Sequence, residues 1–277
     1  MNYRHIYHAG NFADVWKHLV LVALLDALKQ KDKAFCYLDT HAGIGRYNLD
    51  AEQARKTAEA DQGIGRLSQH SHLPELLQRY LQLVEQCRAE QPQSYPGSPW
   101  LAAMLRRPQD SLILNELHPE DQQQLTELFK GQRQVSLRRE DAYQSLQACL
   151  PPTEKRGLVL IDPPFEQDNE FKKLAEAIQK AHKRWPTGCY AIWYPIKDRR
   201  EVMQLHRRLT LSGIRKILLA ELHVKAAEQG VFSGSGMLII NPPWQLQERL
   251  QPAGEWLRQT LGQDDQAKLV LEWLVPE

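Results

Sequence analysis

Residues 34–45 read AFCYLDTHAGIG, an apolar run that changes abruptly into a polar loop containing two glycines. A short run of this kind is typical of a strand that is buried on both faces. Glycines directly after it allow a tight turn and leave room for a ligand beside the backbone. The stretch therefore predicts a buried β-strand whose carboxyl end carries a binding loop.

Later segments repeat this pattern of an apolar run that ends in a polar residue. The chain reads SLILNE at 111–116, VSLRRED at 135–141 and GLVLIDPPF at 157–165, and a further run occupies 189–194. Stretches long enough for helices separate these runs, which indicates βαβ units and a mostly parallel sheet. Ligands then collect beyond the carboxyl ends of the strands.

Three further features complete the expected architecture. Late apolar runs at 217–223 and 236–240 predict an antiparallel edge, and apolar residues at steps of three and four over 14–29 predict an amphipathic helix. Residues 48–95 are rich in glutamine, alanine and charge and show no strand pattern, which predicts a helical insertion. We therefore expect one α/β domain over residues 1–277, with a polar N-terminal segment at 1–13.

The glycine loop departs from a dinucleotide-binding fingerprint. That fingerprint reads GxGxxG and is followed about 20 residues later by an acid for the ribose. Here an acid stands in the loop itself, and the next strand-ending acid, Glu116, comes much later. The loop alone is a weak signal, because an ordinary βα turn has the same composition.

The segment ending in Asp162-Pro163-Pro164-Phe165 is the sharper candidate for a catalytic site. Prolines lack a backbone N–H, so their carbonyls and the Asp162 carboxylate form a cluster of acceptors without donors. Such a cluster suits the exocyclic amine of a base, and Phe165 offers a ring on which a flipped-out base can stack. We therefore predict Asp162, Pro163 and Phe165 as catalytic residues.

Residues 241–244, NPPW, repeat the arrangement of an acceptor, two prolines and an aromatic ring. They follow a late strand that we expect to be antiparallel, so its end should point away from the ligand edge. We therefore prefer Asp162 to Asn241.

Charge is unevenly distributed, although 35 basic and 34 acidic residues give a net charge of only +1. Residues 172–216 contain twelve Lys and Arg against three acids, a local charge of +9 that leaves −8 for the remainder. This asymmetry predicts a phosphate-binding face beside the catalytic strand, although charge runs also form ordinary solvated helix faces. The expected RNA contacts within it are Lys183, Arg184, Lys197, Arg199 and Arg200.

Composition and spacing exclude several classes of protein. Hydrophobic residues make up 42% and charged residues 25%, which is typical of a globular domain. No window approaches the roughly 20 apolar residues that span a bilayer, and the first residues lack a signal-peptide layout, so we expect a cytoplasmic protein. No CxxC pair occurs, and no thiolate or carboxylate cluster accompanies His5, His8 and His18, so we expect no metal.

Together these motifs resemble a known family. DTHAGIGRY, NELHP, RREDAY and IDPPF look like the motifs of class I S-adenosylmethionine-dependent methyltransferases that act on amino groups. The N-terminal YRHIYHAGNFADVWKH, with YPGSP, IWYP and INPPW, more closely resembles the bacterial family that makes N6-methyladenosine at one site in 23S ribosomal RNA. The similarity spans nearly the whole chain and is weakest in the helical insertion.

The resemblance implies a Rossmann-like fold, S-adenosylmethionine as cofactor and a role for each matching residue. Glu116 would accept the ribose hydroxyls, Asp141 with Ala142 would meet the adenine end, and Asp162 would hold the target amine. The implied cofactor-binding residues are Lys17, His18, His41, Gly43, Ser98, Glu116, Asp141, Ala142 and Asp162.

Simpler interpretations of these residues stay open. Glu116 or Asp141 could cap a helix, and His18 could be a core histidine with a hydrogen-bond partner.

The resemblance also implies that the N-terminal segment would cover the pocket and bring Tyr3 and Arg4 to the substrate.

The predicted reaction is methyl transfer to N6 of an adenine in 23S rRNA, without a covalent enzyme intermediate. The resemblance favours protein-free rRNA or an early assembly intermediate as the substrate, with no obligate protein partner. Three alternatives remain, namely an adenine-N6 DNA methyltransferase, methylation of a protein glutamine amide, and a non-catalytic RNA-binding assembly factor with the same fold.

Overall fold

The structure, a computed structural model, describes residues 4–67, 72–167 and 169–277, so the predicted substrate contact Tyr3 lies outside the described residues. The strands are β1 (Cys36–Asp39), β2 (Arg46–Asn48), β3 (Ser94–Pro96), β4 (Ser111–Asn115), β5 (Val135–Arg138), β6 (Gly157–Ile161), β7 (Cys189–Ile196), β8 (Ile217–His223), β9 (Gly234–Ile240) and β10 (Lys268–Val275). The α-helices are α1 (Phe12–Lys29), α2 (Glu52–Thr57), α3 (Glu59–Gln62), α4 (Glu75–Glu90), α5 (Ser98–Leu105), α6 (Pro119–Leu128), α7 (Ala142–Cys149), α8 (Glu170–Arg184), α9 (Arg199–Thr210) and α10 (Leu246–Leu261).

Eight strands form one sheet in the order β10-β8-β9-β7-β6-β1-β4-β5. The strands from β5 to β7 are parallel to one another, whereas β9 is antiparallel to β7 and to β8, and β10 is antiparallel to β8. This confirms the predicted Rossmann-like α/β fold with an antiparallel edge. The carboxyl ends of β1, β4, β6 and β7 therefore meet at one edge of the sheet, called here the catalytic edge.

The centre of the sheet is buried because an apolar core packs on each of its faces, against Leu158 and Leu160 on one side and Val159 and Ile161 on the other. Every residue of β6 is buried, as its apolar sequence predicts. A Cβ atom on Gly157 would lie 2.0 Å from the Cys36 carbonyl oxygen, so only glycine allows β6 to approach β1 at this point.

Helix α1 is more deeply buried than the predicted single stripe. The Asn11 side chain caps it by accepting from the N–H groups of Ala13 and Asp14, as N-cap residues typically do. Every residue from 13 to 25 is buried, including Asp14, Lys17 and His18. The polar side chains of a helix that is buried around its circumference need hydrogen-bond partners within the protein, and these three side chains all have them.

The segment predicted as a helical insertion, 48–95, contains α2, α3 and α4. The two strands β2 and β3 form a separate antiparallel pair at its two ends. Helix α4 buries Leu77 and Tyr80 against the rest of the chain. Among the described residues, no helix combines the length and apolar character needed to cross a bilayer.

Candidate active site

A cavity lies at the catalytic edge, beside the ends of β1, β4 and β6. Eight of the predicted site residues line it, namely Lys17, His18, His41, Gly43, Ser98, Glu116, Asp162 and Pro163. These residues come from five separate stretches of the chain, and the fold brings them together at one cavity. Asp141, Ala142 and Phe165 lie outside this lining.

Asp39, at the end of β1, is buried behind the cavity and accepts three hydrogen bonds. Its carboxylate accepts from the Ser98 hydroxyl at 2.7 Å and from the Tyr37 hydroxyl at 2.7 Å, and its other oxygen accepts from the His41 N–H at 3.2 Å. Burial raises the pKa of Asp39, although these three donors oppose the shift. Asp39 therefore fixes the Ser98 side chain beside the cavity, although the sequence analysis assigned Asp39 no role.

Glu116, at the end of β4, directs a nearly buried carboxylate at the glycine loop. One oxygen accepts from the Gly43 N–H at 2.8 Å and the other from the His118 N–H at 2.8 Å. Burial raises the pKa of Glu116 above its ordinary value. Each carboxylate oxygen has two lone pairs, so both keep the capacity to accept one further hydrogen bond.

Lys17 forms ion pairs with two carboxylates in the site. Its ammonium lies 2.6 Å from Asp162 Oδ2 and 2.8 Å from Asp14 Oδ1. Burial by itself would lower the pKa of Lys17, but the two carboxylates outweigh burial and raise it. Asp14 also accepts from His5 Nε2 at 2.9 Å, so one buried carboxylate fixes both Lys17 and the N-terminal segment.

Burial keeps the two cavity histidines neutral. It lowers the pKa of His18 to about 3 and that of His41 to about 4. His18 Nδ1 is 2.9 Å from the Tyr95 hydroxyl, which in turn is 2.8 Å from the Tyr80 hydroxyl of the helical insertion. His18 therefore lines the cavity and is also a core histidine with a buried partner, and its role in cofactor binding stays a prediction.

Asp141 caps α7 and leaves its side chain largely exposed. Its Oδ1 accepts from the N–H groups of Tyr143 and Gln144, which is the simpler interpretation that the sequence left open. Phe165 packs its ring on Phe171 and Trp193, with centroids 4.7 and 5.8 Å apart, rather than into the first cavity.

A second cavity of about 260 Å³ adjoins the first. The two share His5, Lys17, Asp162 and Pro164 in their linings, so Asp162 lies between them. The remaining lining is partly aromatic and partly polar, and comprises His8, Asn11, Ala13, Asp14, Glu59, Trp193, Pro195, Lys197 and Phe232. Such a mixture of a ring surface and polar groups suits a planar polar ligand.

The N-terminal segment contributes His5 to both cavities and His8 to the second, and its partners hold it in place. Arg4 pairs with Glu120 at 2.7 Å and with Asp121 at 2.9 Å, both in the first turn of α6. His8 pairs with Glu59 of α3 at 3.0 Å. Together with the His5–Asp14 contact, these pairs give both His5 and His8 a carboxylate partner within the protein.

The basic residues of segment 172–216 are divided between the two edges of the sheet. Helix α8 leaves the catalytic edge and runs back, so Lys183 and Arg184 lie at the opposite edge of the sheet, where Arg184 Nε donates to the Leu150 carbonyl at 3.0 Å. Lys197 lies in the second cavity, with its ammonium 5.5 Å from the centre of the Phe232 ring. Arg199 and Arg200 begin α9 at the catalytic edge. Contact between RNA and any of these residues stays a prediction.

Asn241 lies where the expected antiparallel strand places it. Strand β9 is antiparallel to β7, so residues 241–244 leave the sheet at the edge opposite Asp162. The Asn241 amide donates to the carbonyls of Pro186 and Gly188, both at 2.8 Å, and so has a structural role at that edge.

The parallel sheet, the strand-end carboxylates and the paired cavities define a Rossmann-like class I methyltransferase. A model of the family described as ribosomal RNA large subunit methyltransferase D, RlmJ, matches residues 32–275, and the chain belongs to this family.

Relatives agree along the full length of the chain. Ribosomal RNA large subunit methyltransferase J of Haemophilus influenzae is 42% identical over 280 residues, and the protein of that name from Escherichia coli K12 is 42% identical over 279 residues. Each alignment covers 100% of both chains. A crystal structure of a Legionella pneumophila protein with 35% identity covers 96% of this chain and 98% of its own, with a TM-score of 0.88.

Proposed function

We propose that this protein transfers a methyl group from S-adenosylmethionine to N6 of an adenine in 23S ribosomal RNA. The position of Asp162 carries the proposal, because it borders one cavity with cofactor-type acceptors and a second cavity with aromatic walls. The family, described as acting on large-subunit ribosomal RNA, supports the substrate class. The DNA and non-catalytic alternatives find no comparable support.

The residues of the first cavity fit S-adenosylmethionine. Glu116 offers an acceptor oxygen on each side of its carboxylate for the ribose hydroxyls, and Gly43 lets the backbone pass close to them. Bound there, the cofactor would supply an electrophilic methyl group. Asp141, which caps α7 near His41, would contribute to the adenine end only at the rim of the cavity.

Asp162 and the two prolines would hold the target amine in the second cavity. Lys17 engages Oδ2, so Oδ1 and the prolyl carbonyls can accept the amine hydrogens and direct the nitrogen lone pair at the first cavity. Trp193 and Phe232 provide rings against which the base can lie. Positioning of this kind lowers the barrier without requiring a strong base, because the amine can release its proton after transfer.

The resemblance to the family also implies finer features of the substrate, and these belong to the same proposal. The substrate would be protein-free rRNA or an early assembly intermediate, in the cytoplasm, and Tyr3 and Arg4 would contact it from the N-terminal segment.

The test is methyl transfer from labelled S-adenosylmethionine to protein-free 23S rRNA, 16S rRNA and duplex DNA, followed by nucleoside analysis. We expect N6-methyladenosine in 23S rRNA alone, lost in Asp162→Ala and kept in the matched variant Asn241→Ala. Label in DNA would overturn the substrate, and loss only in Asn241→Ala would overturn the site. Absence of label with every substrate would favour the non-catalytic alternative.

A further inference from the structure

The NPPW segment presents an exposed tryptophan at the edge opposite the catalytic edge. Trp244 is 88% exposed, the largest exposed fraction among the large hydrophobic side chains that the structure describes. A single exposed apolar ring is ordinary by itself, so its anchoring and its neighbours decide whether it belongs to a binding surface.

The segment that carries Trp244 is rigidly anchored. In addition to the two bonds from its side-chain amide, the Asn241 backbone N–H donates to the Lys216 carbonyl at 3.0 Å. Two prolines then fix the backbone up to Trp244, and the Pro243 carbonyl accepts from the Leu246 N–H at 3.2 Å. The ring is therefore presented by an ordered backbone rather than by a loose loop.

The anchors of Asn241 place Trp244 among basic residues. They tie it to the turn between α8 and β7 and to the residue that precedes β8. Helices α8 and α9 both run back from the catalytic edge, so their basic last turns lie at the opposite edge, beside Asn241. We call this region the distal basic surface, and its residues are Lys180, Lys183, Arg184, Arg207, Arg208, Arg215, Lys216 and Trp244.

The sequence of these segments is strongly one-sided in charge. Residues 179–189, 205–216 and 241–247 contain seven Lys and Arg and no Asp or Glu. All seven basic side chains are exposed or half-buried. Glu277 pairs with Lys216 and its carbonyl oxygen accepts from Arg215 at 2.8 Å, so one carboxylate offsets part of this charge.

We propose that the distal basic surface binds a single-stranded segment of the rRNA substrate, with Trp244 stacked on a base and the basic residues on phosphates. The combination of a cationic surface with an aromatic platform is the common means of holding single-stranded nucleic acid. The inference rests on the proposed function. Strands of five to eight residues separate the two edges by roughly 20 Å, so the RNA would have to extend around the protein from the target adenine.

The test compares Trp244→Ala, Trp244→Phe and Trp244→Leu with wild type for binding to two RNAs. One RNA is protein-free 23S rRNA, and the other is a short single strand centred on the adenine that wild type methylates, too short to reach the distal basic surface. We expect Trp244→Ala and Trp244→Leu to weaken binding of 23S rRNA about fivefold to tenfold, which is at the lower end of the contribution of one stacked base. Trp244→Phe should retain most of the affinity, and all variants should bind the short RNA as wild type does.

Salt dependence provides the second measurement. Lys183→Ala and Arg215→Ala should each reduce the slope of log affinity against log salt by about one phosphate contact for 23S rRNA only. Lys130→Ala, an exposed lysine at the end of α6, is the matched control and should leave the slope unchanged.

Three outcomes would overturn the inference. Unchanged affinity of Trp244→Ala for 23S rRNA would assign the surface to another partner, such as a protein. Full affinity in Trp244→Leu would exclude stacking, and equal loss on both RNAs would exclude a distal site. Methylation of 23S rRNA by wild type, measured in parallel, shows whether the proposed function itself has failed.

Discussion

Lys17 Nζ donates to Asp162 Oδ2 at 2.6 Å and so joins helix α1 to the end of β6, across 145 positions in sequence. The same ammonium lies 2.8 Å from Asp14 Oδ1, and the side chains of Lys17 and Asp14 are only 5% and 2% exposed. Two carboxylates and one ammonium thus share a site with little solvent, where an unpaired charge is costly. The orientation of Asp162 therefore depends on a helix that lies far from it in sequence.

Removal of the ammonium in Lys17→Met should both destabilise the protein and abolish methyl transfer. Asp14 and Asp162 would be left facing each other without a cation, and the loss of one partner from a buried ion pair typically costs about 3–5 kcal/mol. Urea unfolding measures the stability, and transfer to 23S rRNA measures the activity.

The double variant Asp14→Asn with Lys17→Met separates these two effects. It removes the uncompensated charge at Asp14, so its loss of stability should be smaller than the sum of the two single losses. Its activity should stay low, because Asp162 still lacks its partner. Additive losses of stability would show that the two charges are not coupled.

Glu116→Gln should weaken binding of S-adenosylmethionine by about tenfold to a hundredfold. The amide replaces one acceptor oxygen by a donor, which opposes the Gly43 N–H and removes a charge-assisted bond to a ribose hydroxyl. Titration calorimetry with S-adenosylmethionine measures the dissociation constant. Glu127→Gln, a largely exposed change on α6, is the control, and equal constants for the two variants would exclude Glu116 from the site.

Much of the fold and of the first cavity could be predicted because strand ends are local signals. An apolar run that ends in Glu116 or Asp162 places the carboxylate at the carboxyl end of a strand, and parallel strands bring such ends together. Asp39 ends β1 in the same way, so the same pattern, applied once more, would have identified it. Asp14 lies one helical turn before Lys17, a spacing at which opposite charges meet.

The missed features depend on directions and partners that a linear sequence does not specify. A charge count over 172–216 treats the two ends of α8 as neighbours, whereas the helix carries Lys183 away from the catalytic edge. Asp141 is the N-cap of α7, and only the fold decides whether its carboxylate also faces the cavity. Phe165 turns toward Phe171 and Trp193, both of which approach from other elements.

Stability should fall in mild acid because of the buried histidines. In the folded protein burial lowers the pKa of His18 to about 3 and that of His41 to about 4, whereas an unfolded histidine has a pKa near 6.5. Below about pH 6.5 the unfolded chain binds more protons than the folded one, so the stability that is complete above this pH is lost toward pH 4.

Urea unfolding at pH 7.5 and 5.5 measures this loss. We expect each histidine to contribute about 1 kcal/mol to the decrease between these values. His18→Gln keeps a polar side chain beside Tyr95 but cannot take up a proton, so it should lose less stability over the same interval. The same decrease in wild type and His18→Gln would assign the pH dependence to other groups.

Glu59 should matter for the RNA substrate although it belongs to the helical insertion. Its carboxylate accepts from the Asn11 amide at 2.8 Å and pairs with His8, and both of these residues line the second cavity beside it. The Ile64 N–H of the same insertion donates to the Gly10 carbonyl at 2.8 Å, and the Thr57 hydroxyl donates to the Tyr7 carbonyl, so the insertion fixes the N-terminal segment at several points.

Glu59→Gln weakens the contacts of Glu59 with Asn11 and His8 without adding bulk. We expect the KM for 23S rRNA to rise about tenfold, in line with the loss of about 1.5 kcal/mol from one hydrogen bond to a charged group, and the dissociation constant of S-adenosylmethionine to stay unchanged. Glu52→Gln, an exposed change in α2 whose partner is Lys56, is the matched control and should alter neither value. A rise in both constants for Glu59→Gln would contradict this expectation, because Glu59 lines the second cavity and not the first.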